Sequence, residues 1–276
     1  MPLVSVLTPL YNTNPQHLKE MIESILSQTF SDFEFLLLND SPDNSEIKNI
    51  VKSYKDKRII YLENPCNQGI SKSRNTLLKL AKGKYIAIFD HDDISLPERL
   101  EKEVFVLNQN PEIGVVSCLA TTIERKKKIK HPKNNIEIKI ELVKRGCVIL
   151  HTGAMIRKSI LTDNNICWEE EFSPCEDYML WGRLIEKTMF HNIQEILVIY
   201  RDHKNNTTHK QDRIMSDKDA LIKNFLQKTY PYFNFLSTSS SFIMLFGFIP
   251  FIKIITKGNK VKYMLFGFIP LCKITR

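Results

Sequence analysis

No C-x-x-C pair occurs among the six cysteines (Cys66, Cys118, Cys147, Cys167, Cys175 and Cys272), which removes the paired-thiol motifs that such spacing serves. No signal-peptide pattern stands ahead of the first strand pattern, which starts directly after Met1 and Pro2, so a reducing, cytoplasmic setting is expected. No linker rich in Gly, Ser or Pro divides the body, so one continuous domain is expected there. The apolar run from Phe242 to Ile252 is interrupted by Gly247 and Pro250 and closed by Lys253. It falls short of the roughly 20 residues that cross a bilayer. Finally, Asp and Glu are absent between Ala220 and Arg276, where eight Lys and Arg side chains stand, so this segment holds the whole net charge of +8 and residues 1–219 are formally neutral.

What is present begins with room for a core: 276 residues, 43% of them hydrophobic, suffice for one large or two smaller domains. The basic segment contains an internal repeat, in which Met244 to Ile254 returns twenty residues later as Met264 to Ile274. Two copies are too few for a solenoid. Aromatic and aliphatic residues interleaved with lysines suit a helical tail lying in an anionic membrane interface, each lysine adding about 1 kcal/mol of attraction. A pair of helices packed on the body is the alternative.

The first half alternates strand and helix patterns. Leu3 to Leu7, Phe33 to Leu38, Arg58 to Leu62 and Lys84 to Phe89 read as strands. Between them lie helices over Pro15 to Gln28, capped by Asn14, then one carrying Ile47, Ile50, Val51 and Tyr54, and one over Ser71 to Ala81. Pro97 opens a further helix, and Ile113 to Leu119 closes the series. Beyond it, Arg125 to Lys130 reads as a solvated basic loop, Val148 to Ile156 and Ile193 to Tyr200 as strands, and Glu176 to Glu186 as a helix. Alternation of this kind predicts right-handed crossovers and a parallel sheet, with ligands beyond the carboxyl ends of its strands. Thr8 to Asn12, Asn39 with Asp40, and Asp90 to Asp93 all fall on that edge.

The run from Tyr85 to Phe89 drives an apolar strand into Asp90, His91, Asp92 and Asp93. Three carboxylates within four residues repel unless a cation sits among them, so a divalent metal bridging to substrate phosphate is the functional reading and a solvated Asp-rich turn the bland one. A second acidic pair, Glu176 and Asp177, opens a helix, where capping alone is the competing explanation.

Together, the segment Ser5 to Asn12, Gly69 to Asn75, Asp90 to Asp93, and Pro174 to Leu184 closely resemble the family 2 glycosyltransferases of the GT-A fold, over about residues 2 to 210. The resemblance implies a Rossmann-like, mostly parallel sheet flanked by helices. It implies a catalytic domain over 1–219, with a nucleotide-binding half 1–119 and an acceptor-binding half 120–219, ahead of the basic tail 220–276. It further implies that Thr8, Pro9 and Tyr11 line the nucleotide pocket, that Asp40 bonds the base, and that Arg74 and Asn75 help form the donor site. Asp90 and Asp92 match the acidic D-x-D element, the first near the ribose and the second on a Mn²⁺ or Mg²⁺ ion, with His203 approaching the metal or diphosphate. Asp177 matches the general base, with Glu176 as runner-up. His151 and Thr152 are expected to face the acceptor.

The implied activity is sugar transfer from a nucleoside-diphosphate sugar, UDP-linked by family weight, to a glycan or lipid-linked acceptor of bacterial surface polysaccharide, with inversion. One base and one metal suffice for a single displacement. No nucleic-acid partner is expected, and localisation on the inner face of the cytoplasmic membrane is. Two other readings compete: an Asp-nucleophile phosphatase, against which Ile94 stands where Thr or Val is usual, and a membrane-associated nucleotide-sugar binder without catalysis.

Overall fold

The computed structural model describes residues 1–123, 128–202, 206, 211–236, 241–245, 249–257, 260–265 and 269–275, with 234–235 and everything from 241 onward as backbone alone. Strands β1 (Val4–Leu10) and β2 (Phe33–Asn39) are buried along their whole length, as parallel strands covered on both faces are. Helix α1 (Pro15–Leu26) joins them. Its start is fixed by Asn14, whose Oδ1 accepts from the Gln16 and His17 amides at 2.9 and 3.3 Å, and by Pro15 in the first turn. Helix α2 (Ser45–Ser53), strand β3 (Ile59–Glu63), helix α3 (Ile70–Leu80) and strand β4 (Tyr85–Ile88) follow. These four strands are parallel, in the order β3-β2-β1-β4.

The second half joins the same sheet. Strand β5 (Ile94–Ser95), helix α4 (Arg99–Gln109), strands β6 (Ile113–Thr122) and β7 (Lys128–Ile129), helix α5 (Asn135–Lys144), strand β8 (Met155–Arg157), helices α6 (Lys158–Asp163) and α7 (Glu176–Leu184), strand β9 (Met189–Tyr200) and helix α8 (Asp212–Thr229) complete the body. The full order is β3-β2-β1-β4-β8-β6-β9-β5, with β7 on β6. Strand β8 runs antiparallel to both β4 and β6. The strand expected over Val148 to Ile156 is thus only Met155–Arg157, because a 3-10 turn at His151–Gly153 reverses the chain before it. The basic run at Arg125 to Lys130 lies in part outside the described residues.

Alternate strand residues feed two cores. Leu7, Leu36, Leu38, Ile86 and Ile88 face α3, α5, α7 and α8, whereas Val6, Phe35, Leu37, Ala87 and Phe89 face α1, α2 and α4. This period of two is the pleat itself.

Two tail expectations need correction. The boundary at residue 219 falls inside α8, whose Ile222 and Leu226, together with Tyr230, Phe233 and Leu236 beyond it, are buried in the first core. The body therefore extends to residue 236. The repeat is not helical: β10 (Ser241–Leu245), β11 (Ile249–Lys257), β12 (Lys260–Leu265) and β13 (Ile269–Thr275) form a separate antiparallel sheet in that order. Each copy of the repeat is one hairpin, with Met244 opposite Pro250 in the first and Met264 opposite Pro270 in the second, and with the same register shift before each Met. A Pro in each copy, with β-branched residues such as Ile254, Ile255 and Thr256, favours extended backbone over helix.

Candidate active site

Strand β4 stops at Ile88, and the chain turns through Asp90 to Asp93 before β5 pairs antiparallel with β9, Ile94 opposite Ile199. The turn is held from two sides. The Asp90 amide donates to Thr152 Oγ1 at 3.1 Å, and the Arg201 amide donates to Asp93 Oδ1 at 2.9 Å. Asp93 is fully buried. Burial first, then the neighbouring Asp92 and Asp90, push its carboxyl well above the usual range, and its bond to the Arg201 amide ties the turn to the end of β9. Asp90, His91 and Asp92 remain partly exposed.

Arg74 joins this turn to the second acidic pair. It projects from α3, whose start depends on Gly69 at φ +82°, a backbone conformation that suits glycine. Its Nη2 donates to Asp90 Oδ1 at 2.9 Å and its Nη1 to Glu176 Oε1 at 2.6 Å. Arg74 and Glu176 are buried, with side-chain exposures of 6% and 7%. The pair is separated by 102 positions in sequence.

Glu176 and Asp177 open α7, where the helix dipole favours carboxylates. Asp177 Oδ1 accepts from the Tyr178 amide at 2.7 Å, and Oδ2 lies 3.9 Å from Cys147 Sγ. Burial, and then the charge on Glu176, push the Asp177 carboxyl up to about 7, against the pull of the Tyr178 amide and Arg74. A carboxyl poised there exchanges protons near neutrality, as a general base must. Cys147 carries no signal in the sequence that ties it to Asp177.

The predicted nucleotide side is a cavity of about 250 Å³ at the carboxyl ends of β1 and β2, lined by Tyr11, Asn12, Asp40, Ser41, Asn67 and neighbours. Tyr11 is half exposed there, whereas Thr8 and Pro9 are buried inside β1. The Thr8 hydroxyl has no partner among the described residues. Asp40 is largely committed to its own walls: Oδ1 accepts from Asn64 Nδ2 at 2.7 Å and the Gln68 amide at 2.8 Å, and Oδ2 accepts from the Gly69 amide at 2.9 Å. It shapes the loop that bounds the cavity.

Asn75 is committed as well. Its Nδ2 donates to the Trp168 carbonyl at 2.8 Å and its Oδ1 accepts from the Trp168 amide at 3.0 Å, so it fixes Trp168 beside Arg74. Trp168 Nε1 in turn donates to His151 Nε2 at 3.1 Å, and burial followed by the nearby Arg74 holds that imidazole well below its usual pKa. His151 is buried between Trp168 and Trp181 and does not face an acceptor. Thr152 supports the acidic turn instead. His203 lies outside the described residues, as does His209.

The donor set of the turn is hard oxygen, which suits Mg²⁺ or Mn²⁺. Among the described residues no cage of three ligating side chains occurs, and such ions need only one or two carboxylates when phosphate and water complete the shell. Asp90, Asp92 and Asp93 place three carboxyl groups within four residues, with Asp90 and Asp92 partly exposed. The residues therefore fit a divalent cation.

The family model "Glycosyl transferase family 2" matches residues 5–164. A glycosyltransferase of Methanocaldococcus jannaschii is 38% identical over 208 residues, covering 72% of this chain and 71% of its own. One of Haemophilus influenzae is 29% identical over 236 residues, covering 80% and 72%. Among solved structures, S. aureus TarS residues 1–349 in complex with UDP-GlcNAc superposes with a TM-score of 0.68 at 18% identity, covering 85% of this chain and 73% of that one. The Pyrobaculum calidifontis mannosyltransferase PcManGT, in complex with GDP-Man and Mn²⁺, gives 0.61 at 16% identity, covering 80% and 63%. Those two likenesses establish the shared GT-A fold. With the family profile spanning more than half of the sequence, the chain belongs to glycosyl transferase family 2.

Proposed function

We propose that this glycosyltransferase moves a sugar, with inversion, from a UDP-linked donor to a hydroxyl of a glycan or lipid-linked acceptor of a bacterial surface polysaccharide. The carrying observation is the Arg74 bridge, which sets the N-terminus of the Asp177 helix beside the acidic turn on one sheet edge. Nucleotide-sugar complexes of proteins with the same fold support the donor class, and the UDP complex of TarS favours uridine.

In this reading the base occupies the cavity beside Tyr11, and the diphosphate lies over the turn. Asp92, with Asp90, would hold the divalent cation, which supplies neutralising charge to the departing diphosphate. Asp177 accepts the proton of the acceptor hydroxyl as its oxygen bonds the anomeric carbon and the bond to the β-phosphate breaks. One base in one displacement inverts the centre; retention would call for a second, nucleophilic carboxylate facing the sugar. Glu176 keeps Arg74 in place and is a positioning residue, not the base.

The basic tail brings the enzyme to its acceptor at the cytoplasmic face of an anionic membrane. Six cations beyond the body, Lys253, Lys257, Lys260, Lys262, Lys273 and Arg276, with no Asp or Glu among them, support this. No helix of the described residues is long and apolar enough to cross a bilayer.

The test is a panel of nucleotide sugars incubated with the purified protein and Mn²⁺, scored for hydrolysis and for a shift in melting temperature. A UDP-sugar should be selected. Preference for a guanosine or cytidine donor overturns the uridine assignment, and turnover of none by wild type favours a binding protein.

A further inference from the structure

Arg99 is a fully buried cation at the first position of α4, 3.9 Å from an equally buried Glu103. A charge in that place is costly unless its bonds do something specific. The bonds share one address. Nε donates to Ser95 Oγ at 2.8 Å, and Nη1 donates to the carbonyls of Ile88 and Thr152, both at 3.3 Å. The guanidinium carbon lies 4.7 Å from the centre of the Phe89 ring.

Ile88 stands two residues before Asp90, and Ser95 two residues after Asp93. Thr152 is the residue whose hydroxyl accepts the Asp90 amide. One guanidinium thus touches both ends of the acidic turn and the support that holds its first carboxylate. The rigid fork of Arg reaches three acceptors in fixed directions, which the single ammonium of Lys does not reproduce. A core that needed only volume at this position would be served by an aliphatic side chain.

We propose that Arg99 is a positioning residue for the acidic turn: by clamping residues 88, 95 and 152 together, it sets where the Asp90 and Asp92 carboxylates stand for a cation-bound diphosphate. This rests on the donor-site reading given above. Groups that orient metal ligands from behind influence affinity nearly as strongly as the ligands, and their loss costs about 10- to 100-fold.

Two variants test it. Arg99→Lys keeps a cation beside Glu103 and loses the fork; the pair Arg99→Met with Glu103→Leu removes both ionisable groups at once and strands neither. Melting temperature, calorimetric affinity for UDP in Mn²⁺, and amide exchange at residues 90–95 without nucleotide are measured for each. Expected are melting temperatures near that of wild type for the paired variant, at least about tenfold weaker UDP binding in both, and faster exchange confined to the turn. Folded variants that bind UDP as wild type does overturn the proposal. If the paired variant does not fold, Arg99→Lys decides by the same criterion. If wild type itself binds no nucleoside diphosphate, the donor-site reading fails, and exchange at 90–95 alone decides the clamp: unchanged rates in Arg99→Lys overturn it.

Discussion

Arg74 Nη1 stands 2.6 Å from Glu176 Oε1, across 102 positions of sequence, and both side chains are almost wholly buried. The other half of the same guanidinium holds Asp90. The start of α7 and the acidic turn thus share one cation.

Arg74→Met should leave two carboxylates facing each other without a counterion. Breaking a buried pair from one side costs about 3 to 5 kcal/mol. Urea denaturation should show a loss of that order together with a collapse in turnover. Unchanged stability would mean that Arg74 is not a structural tie.

Asp177 should impose an ascending pH profile. With its carboxyl pushed up to about 7, it is protonated and inactive as a base below that pH and ionised above it. The rate constant kcat/KM should rise about tenfold per pH unit on the acid side and level off above neutrality. Asp177→Asn should cost roughly 10² to 10⁴ in rate while UDP binding persists. A profile flat from pH 5 to 8 would remove Asp177 from the base role.

Glu103 links folding to pH in the opposite sense from a typical surface carboxylate. Burial pushes its carboxyl up to about 7, with Arg99 opposing, so the folded state retains a proton that the unfolded chain releases near the ordinary glutamate value. Its contribution is most favourable below that ordinary value and declines as pH rises toward 7. Wild type should lose on the order of 3 kcal/mol relative to Glu103→Gln between pH 4 and 7. Parallel stability curves for the two proteins would exclude this titration.

Deletion of residues 242–276 should leave the melting temperature and nucleotide binding of the body unchanged, because among the described side chains the core closes at Leu236. Sedimentation with anionic vesicles should be lost, and for the full chain it should weaken with added salt. A truncated protein that still sediments removes the tail from membrane attachment.

The parallel part of the fold was readable because its signals are local. Asn14 and Pro15 mark the start of α1, and β1 to β4 declare themselves as apolar runs between helices of ordinary length. The reversal at β8 was not readable, since a three-residue strand after a 3-10 turn carries almost no period of its own. The acidic residues of the site stood out by composition. What they bond did not: Asn75 with Trp168, and Asp40 with residues 64 to 69, are tertiary pairings that leave no spacing rule behind. Arg99 looks in sequence like any charged residue after a helix-opening proline. In the tail, repetition was evident, but the backbone it adopts was not, because aromatic and β-branched residues mixed with lysines serve both helix and strand.

Strand β5 pairs with β9, Ser95 opposite Val198, and Arg74 reaches Glu176 with the half of its guanidinium that does not hold Asp90. Both closures span more than a hundred positions, and both need sequence beyond the region 5–164 that matches the family profile. Long closures form late, since the loop must be ordered before the contact rewards it. During synthesis Arg74 is at hand for Asp90 as soon as the turn forms, whereas the end of β9 that receives Asp93 and pairs with β5 emerges only later. A fragment cut at the profile boundary should keep the four parallel strands and lack both closures, since Glu176 and β9 lie beyond it.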